Sequence, residues 1–98
     1  MALGHWVFLY TAPGLEPEGR VTVVDSPRCR TVLVGVPDVA SGVRYARTLG
    51  SEVQLVELCG GFGPRGTAQV LEALGGRIPV GSVGYGPESV DGVQAIFS

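Results

Sequence analysis

The chain is expected to fold as a single compact α/β domain. The expected architecture is a mixed, mostly parallel sheet of five or six strands with two main helices, in the order β-β-β-α-β-α-β-β. Three observations carry this. From Thr31 to Val83, short apolar runs alternate with helical patterns, strand–helix–strand–helix–strand. Right-handed crossovers make such strands parallel. Two further β-rich runs, His5–Thr11 and Arg20–Asp25, precede that unit. Finally, 98 residues bury roughly two-thirds of their unfolded surface, enough for one modest core.

His5–Thr11 (HWVFLYT) is aromatic and β-branched and reads as the first strand. Ala12–Gly19 carries two Pro and two Gly and reads as a loop. Arg20–Asp25 (RVTVVD) is the second strand, Ser26–Arg30 opens with a Ser-Pro turn signal, and Thr31–Val36 (TVLVGV) is the third strand. The short link between the second and third predicts a hairpin; the alternative leaves Arg20–Arg30 irregular. Pro37-Asp38 starts a helix with Asp38 as N-cap. Its apolar stripe is Val39, Val43, Ala46 and Leu49, and Gly50 is its stop. Val53–Cys59 is a nearly continuous apolar strand, the pattern of a central strand covered on at least one face. Pro64–Leu74 is the second helix, with Pro in its first turn, a stripe of Thr67, Val70, Leu71 and Leu74, and a Gly75-Gly76 stop. Ile78–Val83 is a fifth strand, and Val93–Phe97 (VQAIF) is expected as a last, edge strand. Two helices are too few to cover both faces of a six-stranded sheet. Either the sheet is small or one face is open.

Composition narrows the partners. The chain is 45% hydrophobic and 16% charged, against a usual charged share of about 25%. An apolar surface of this kind predicts a homo-oligomer, a dimer or higher; the plain alternative is that 16 glycines and many alanines inflate the apolar count. Net charge is −2, and the basic residues are scattered arginines, so no nucleic-acid partner is expected. No run is long enough for a membrane span. The first residues lack a basic leader and read as a strand, so the expected compartment is the cytoplasm. Cys29 and Cys59 make neither a C-x-x-C pair nor a disulfide framework, and one His with two Cys cannot complete a structural zinc site.

The segment Val53–Gly66 (VQLVELCGGFGPRG) concentrates the candidate chemistry. A strand enters a glycine turn and then a helix. Gly60, Gly61, Gly63 and Gly66 permit close approach of a ligand to backbone N–H groups. A helix start favours an anion there, and Arg65 adds a fork of donors. The plain reading of these glycines is a tight turn with close helix–strand packing. Gly61–Gly66 formally matches G-x-G-x-x-G, but the acidic residue that a dinucleotide site needs about 20 positions on is missing. No cofactor is therefore expected.

Cys59 stands at the strand's carboxyl end, where a helix N-terminus activates a thiol. Its usual partner is His, and the chain holds only His5; the competing reading is a small buried hydrophobe. Glu57, two residues earlier and on the same expected strand face, is costly to bury unpaired. It either works as a general acid or base in a cavity, or meets water or an Arg of another subunit. Phe62 is either a pocket wall or a plug of the core or an interface. Tyr10, at the end of the first strand, joins the candidate ligand contacts, whereas Cys29 lies in a turn with no expected catalytic role.

The run ELCGGFGP (Glu57–Pro64), with the Ala12-Pro13-Gly14 loop and the Val34–Asp38 stretch, resembles a family of short bacterial proteins classed as a domain of unknown function. The resemblance implies a compact single-domain α/β protein across almost the whole chain and carries no activity. Two functions stand after this reading. One is binding of a small anionic or polar metabolite at residues 57–66, with proton transfer by Glu57 or Cys59 of isomerase, lyase or cyclase type if the site is catalytic. The other is a non-catalytic interaction module that self-associates.

Overall fold

One strand, β1 (His5–Thr11), takes the centre of the sheet, and the other strands are ordered around it. A computed structural model describes residues 2–97. Beyond β1, the strands are β2 (Arg20–Asp25), β3 (Arg30–Val36), β4 (Leu55–Leu58) and β5 (Val80–Ser82). The sheet order is β2-β3-β1-β4-β5. β1 runs parallel to both β3 and β4, and β4 parallel to β5. β2 and β3 form the antiparallel hairpin that their short link predicts, with Arg20 opposite Gly35 and Asp25 opposite Arg30. The expected mixed, mostly parallel sheet is thus found, with five strands.

The helices are α1 (Val39–Ala46), α2 (Gly63–Leu74) and α3 (Val90–Phe97). The first begins as its sequence predicts: the Asp38 carboxylate accepts the Ser41 N–H at 2.8 Å. It ends at Ala46, short of the expected Gly50, because the Thr48 N–H and hydroxyl both turn back onto the Tyr45 carbonyl. α2 ends on Gly75 in the left-handed region (φ 58°), as the Gly75-Gly76 stop requires. Its buried side is Gly66, Val70 and Leu74, whereas Leu71, expected within the apolar stripe, is 46% exposed. No described helix is long and apolar enough to cross a membrane.

The last element departs from expectation. Val93–Phe97 lies in helix α3, not in an edge strand. Five residues with apolar ends fit either period. A short turn at Pro87–Ser89 and Asp91 in the first helical turn start a helix, and Gln94 and Ala95 suit its interior.

Both crossovers, β3 to β4 through α1 and β4 to β5 through α2, move the same way along the sheet. Right-handedness therefore puts both helices on one face, where they pack against each other. That face holds the core. Val7, Leu9, Val34, Val36, Val56 and Leu58 from the three central strands are at most 2% exposed, and Ala46, Val70 and Leu74 close over them. The opposite face carries no helix from α1 or α2.

Close approach of α1 to the turn before α2 requires Gly42. A Cβ there would stand 2.6 Å from the Phe62 ring. Alanine for glycine within a helix normally gains about 1 kcal/mol. Gly42→Ala is instead expected to lose about 1–3 kcal/mol through overpacking in urea unfolding, whereas Gly92→Ala, where the space is open, gains stability. A Gly42→Ala variant as stable as the native chain would contradict the packing described.

The Asp38 cap predicts a pH effect. The backbone hydrogen bond from Ser41 is the main cause that lowers the Asp38 pKa, with its side-chain bond to Ser41 next and the Arg44 charge adding a smaller part. A depressed carboxylate stabilises the fold fully above its unfolded value, near pH 4, and that contribution is lost as pH falls through the lowered value. The melting-temperature gap between the native chain and Asp38→Ala should therefore be full at pH 6 and close below about pH 4. A gap that does not change with pH would rule this out.

Candidate functional site

β1 and β4 end side by side at Thr11 and Leu58. From β1 the chain goes to β3 on one side, then crosses to β4 on the other. The carboxyl edge between β1 and β4 is therefore the topological switch point of the sheet, the place where open α/β sheets bind ligands. The glycine turn starts there.

Backbone and side-chain bonds join the two strand ends. The Cys59 N–H donates to the Leu9 carbonyl at 3.1 Å. The Thr11 N–H in turn donates to the Cys59 Sγ at 3.3 Å, and the Thr11 hydroxyl lies 3.6 Å from the same sulfur. The thiol is half-buried and packs partly against the core.

The turn itself is a single 3-10 turn, Gly60–Phe62, running into α2. It uses some of its own donors. The Phe62 N–H bonds the Cys59 carbonyl at 3.2 Å, the Gly63 N–H bonds the Gly60 carbonyl, and Pro64 has none. Gly63 sits at φ 63°, which glycine tolerates and other residues rarely do. The N–H groups of Gly60 and Gly61 have no hydrogen-bond partner among the described residues. Both glycines are also packed. A Cβ on Gly61 would strike the Thr11 hydroxyl, and one on Gly60 would strike the hydroxyl of Tyr85, whose ring carbons lie 2.5 Å away. Tyr85 thus arches over the turn from the segment after β5.

The other sequence candidates fall in different places. Phe62 is 4% exposed and fills the core against Gly42, so it plugs the core. Arg65 is exposed in the first turn of α2, with no ion pair among the described residues. Tyr10 lies on the sheet face opposite α1 and α2. Its ring covers Gly35 beside Leu15 and stacks on Phe8 at 6.3 Å. Glu57 lies on that same face, paired with Phe8 and Gly81, half-buried and with no ion pair among the described residues. The expected shared face of Glu57 and Cys59 ends with the strand: the thiol turns to Thr11, and Glu57 stays with Phe8.

His5 starts β1, whereas Cys59 lies beside its far end. Six residues of strand span about 20 Å, so His5 cannot serve as base to this thiol within one chain. Cys29 sits in the Ser26 turn, its N–H bonded to the Ser26 hydroxyl at 3.1 Å. No group of three or more His, Cys, Asp or Glu could hold a metal ion among the described residues. A separate open groove of about 530 Å³ lies between α1 and α2, lined by Arg44, Arg47, Gln69 and Glu72 among others, away from the glycine turn.

A family model matches residues 4–98 of the chain. The chain belongs to the family of unknown function DUF6506. That membership bears out the resemblance drawn from the sequence to a family without a known activity. Neither the curated proteins nor the solved structures hold a match. In this DUF6506 chain, the strand-end geometry is the feature that bears on function. Two parts of that geometry carry little signal in the sequence: Thr11 is marked only by ending a strand just before a Pro-Gly loop, and Tyr85 only by its place between Gly84 and Gly86.

The thiol contact makes a direct prediction. Removing one hydrogen bond of about 1 kcal/mol changes a local opening equilibrium roughly fivefold. Cys59→Ala should accelerate Thr11 amide hydrogen exchange by about that factor, and Cys59→Ser should restore most of the protection. Equal exchange in all three chains would exclude the Thr11–Cys59 bond.

Proposed function

We propose that this chain binds a small anionic or polar metabolite at the carboxyl edge of β1 and β4. The supporting observation is the position of the Thr11–Cys59 pair and the two unpartnered N–H groups of Gly60 and Gly61 at the topological switch point. The N–H groups and the start of α2 suit a carboxylate or phosphate. The Thr11 and Tyr85 hydroxyls add polar contacts beside them. Arg65, exposed one turn away without an ion pair among the described residues, is the charged donor within reach of a ligand at this edge. If the bound molecule reacts, Cys59 moves a proton, as in an isomerase, lyase or cyclase, whereas Tyr10 and Glu57 lie on the uncovered sheet face, away from this edge. A hydrolytic Cys–His pair does not fit a thiol and an imidazole at opposite ends of β1.

A second reading, a non-catalytic module that self-associates, is favoured by a different observation. One sheet face has no covering helix from α1 or α2, and α3 buries none of its residues.

The ligand reading is tested by thermal shift over a panel of small carboxylates and phosphates, followed by calorimetric titration of those that raise the midpoint. At least one should bind. Arg65→Ala, an exposed change that leaves the fold intact, should weaken it about tenfold or more, the scale of a charged hydrogen bond. No response to any anion, or binding unchanged in Arg65→Ala, would refute this reading.

A further inference from the structure

An eight-residue helix cannot sustain itself in water. Isolated helices below about 12–15 residues are marginal even in the best sequences, and α3 carries Gly92 near its middle. Yet α3 (Val90–Phe97) buries no residue against its own chain. Val90 is 50%, Ile96 76% and Phe97 57% exposed. Its single charged residue is Asp91. A helix this apolar and this short needs a surface to lie on.

The chain also holds a surface that lacks a helix. Strand alternation and the pairing registers put Trp6, Phe8, Tyr10, Val24, Leu33 and Leu55 on the sheet face opposite α1 and α2. The side chains of the three central strands there are only half-buried, and Val24 is 55% exposed. Its charged groups are Glu57 and, at the edge strand, Arg20, which Glu16 already pairs at 2.8 Å. In a sheet wound on both faces, a helix between β1 and β3 would cover this side. Here that connection forms β2.

We infer that the two unmet surfaces are made for each other between chains: α3 of one copy lies on the uncovered sheet face of a second copy, and the exchange is mutual. This rests on the self-association reading and is independent of the ligand site. Several observations select this occupant. The apolar, nearly uncharged face matches the apolar, nearly uncharged helix. α3 has no Lys or Arg, which a helix lying on an anionic membrane surface carries. The link to α3 is held at the carboxyl edge by Tyr85 over Gly60, and the helix then leaves the body of its own chain. The chain is long in one direction, 39 Å against 28 and 25 Å. Size also fits. The five strands, three to seven residues long and about 4.8 Å apart, make a face of roughly 430 Å², and the eight-residue helix, about 12 Å long and about 10 Å across, lies within it.

The test uses the intact chain and a chain lacking residues 87–98, a deletion that removes no buried side chain among the described residues. Light scattering should give twice the 10.2 kDa of one chain for the intact protein and a folded monomer for the truncated one. Ile96→Asp should weaken the dimer at least about tenfold, the scale of a lost buried side chain. Benzoylphenylalanine in place of Phe97, in a mixture of isotope-labelled and unlabelled chains, should cross-link to peptides of β1, β3 or β4 from the other copy. An intact chain that is monomeric overturns both this inference and the self-association reading. A truncated chain that still dimerises, or cross-links confined within one copy, overturns this inference alone.

Discussion

The route of the chain from β1 to β3 governs the rest of this structure. A parallel neighbour needs a crossover, and the usual crossover is a helix that covers one face of the sheet. Here the connection instead forms β2, which pairs antiparallel on the outer edge of β3. Only the two later crossovers carry helices, and handedness places both on the same side. The consequence is a sheet with one well-filled face, where Leu9, Val34, Val36, Val56 and Leu58 are fully buried, and one half-dressed face bearing Trp6, Phe8 and Tyr10.

The same route creates the candidate site. Because the chain leaves β1 in one direction and returns on its other side, the ends of β1 and β4 meet where no connection crosses between them. The glycines there have a packing duty: Gly61 makes room for Thr11 and Gly60 for Tyr85. That duty draws two hydroxyls and a thiol toward the same short stretch of backbone whose N–H groups lack partners among the described residues. Glu57 stands apart, on the uncovered face between Phe8 and the bare backbone of Gly81. A second copy over this face would change the surroundings of that carboxylate more than those of Cys59.

Much of the fold is legible in the residues, for local reasons. Asp38 caps because its side chain reaches the N–H of Ser41, three residues on, and Gly75 stops α2 because glycine readily takes the left-handed turn. The hairpin follows from a short Ser-Pro link. Strand order is not local. Nothing in HWVFLYT says that it lies between β3 and β4, and without that neighbour Thr11 has no visible link to Cys59. The run VQAIF was ambiguous because five residues fit both periods, and what decides it is the turn at Pro87. Phe62 and Leu71 show the limit of stripes. The ring goes inward because Gly42, twenty residues earlier, leaves it room, and Leu71 stays out because Gly66 lets α2 approach Val39 closely. The position of the glycine segment was readable; its partners, Thr11 and Tyr85, come from far along the chain.

In the proposed assembly, the uncovered face belongs to a second copy. Small-angle X-ray scattering of the intact protein tests it most directly. One chain has a Cα radius of gyration of 13.7 Å. A compact two-chain particle of this length should measure about 16 Å, with a forward-scattering mass of two chains. A radius near 13.7 Å and the mass of a single chain, held across concentration, would contradict the account.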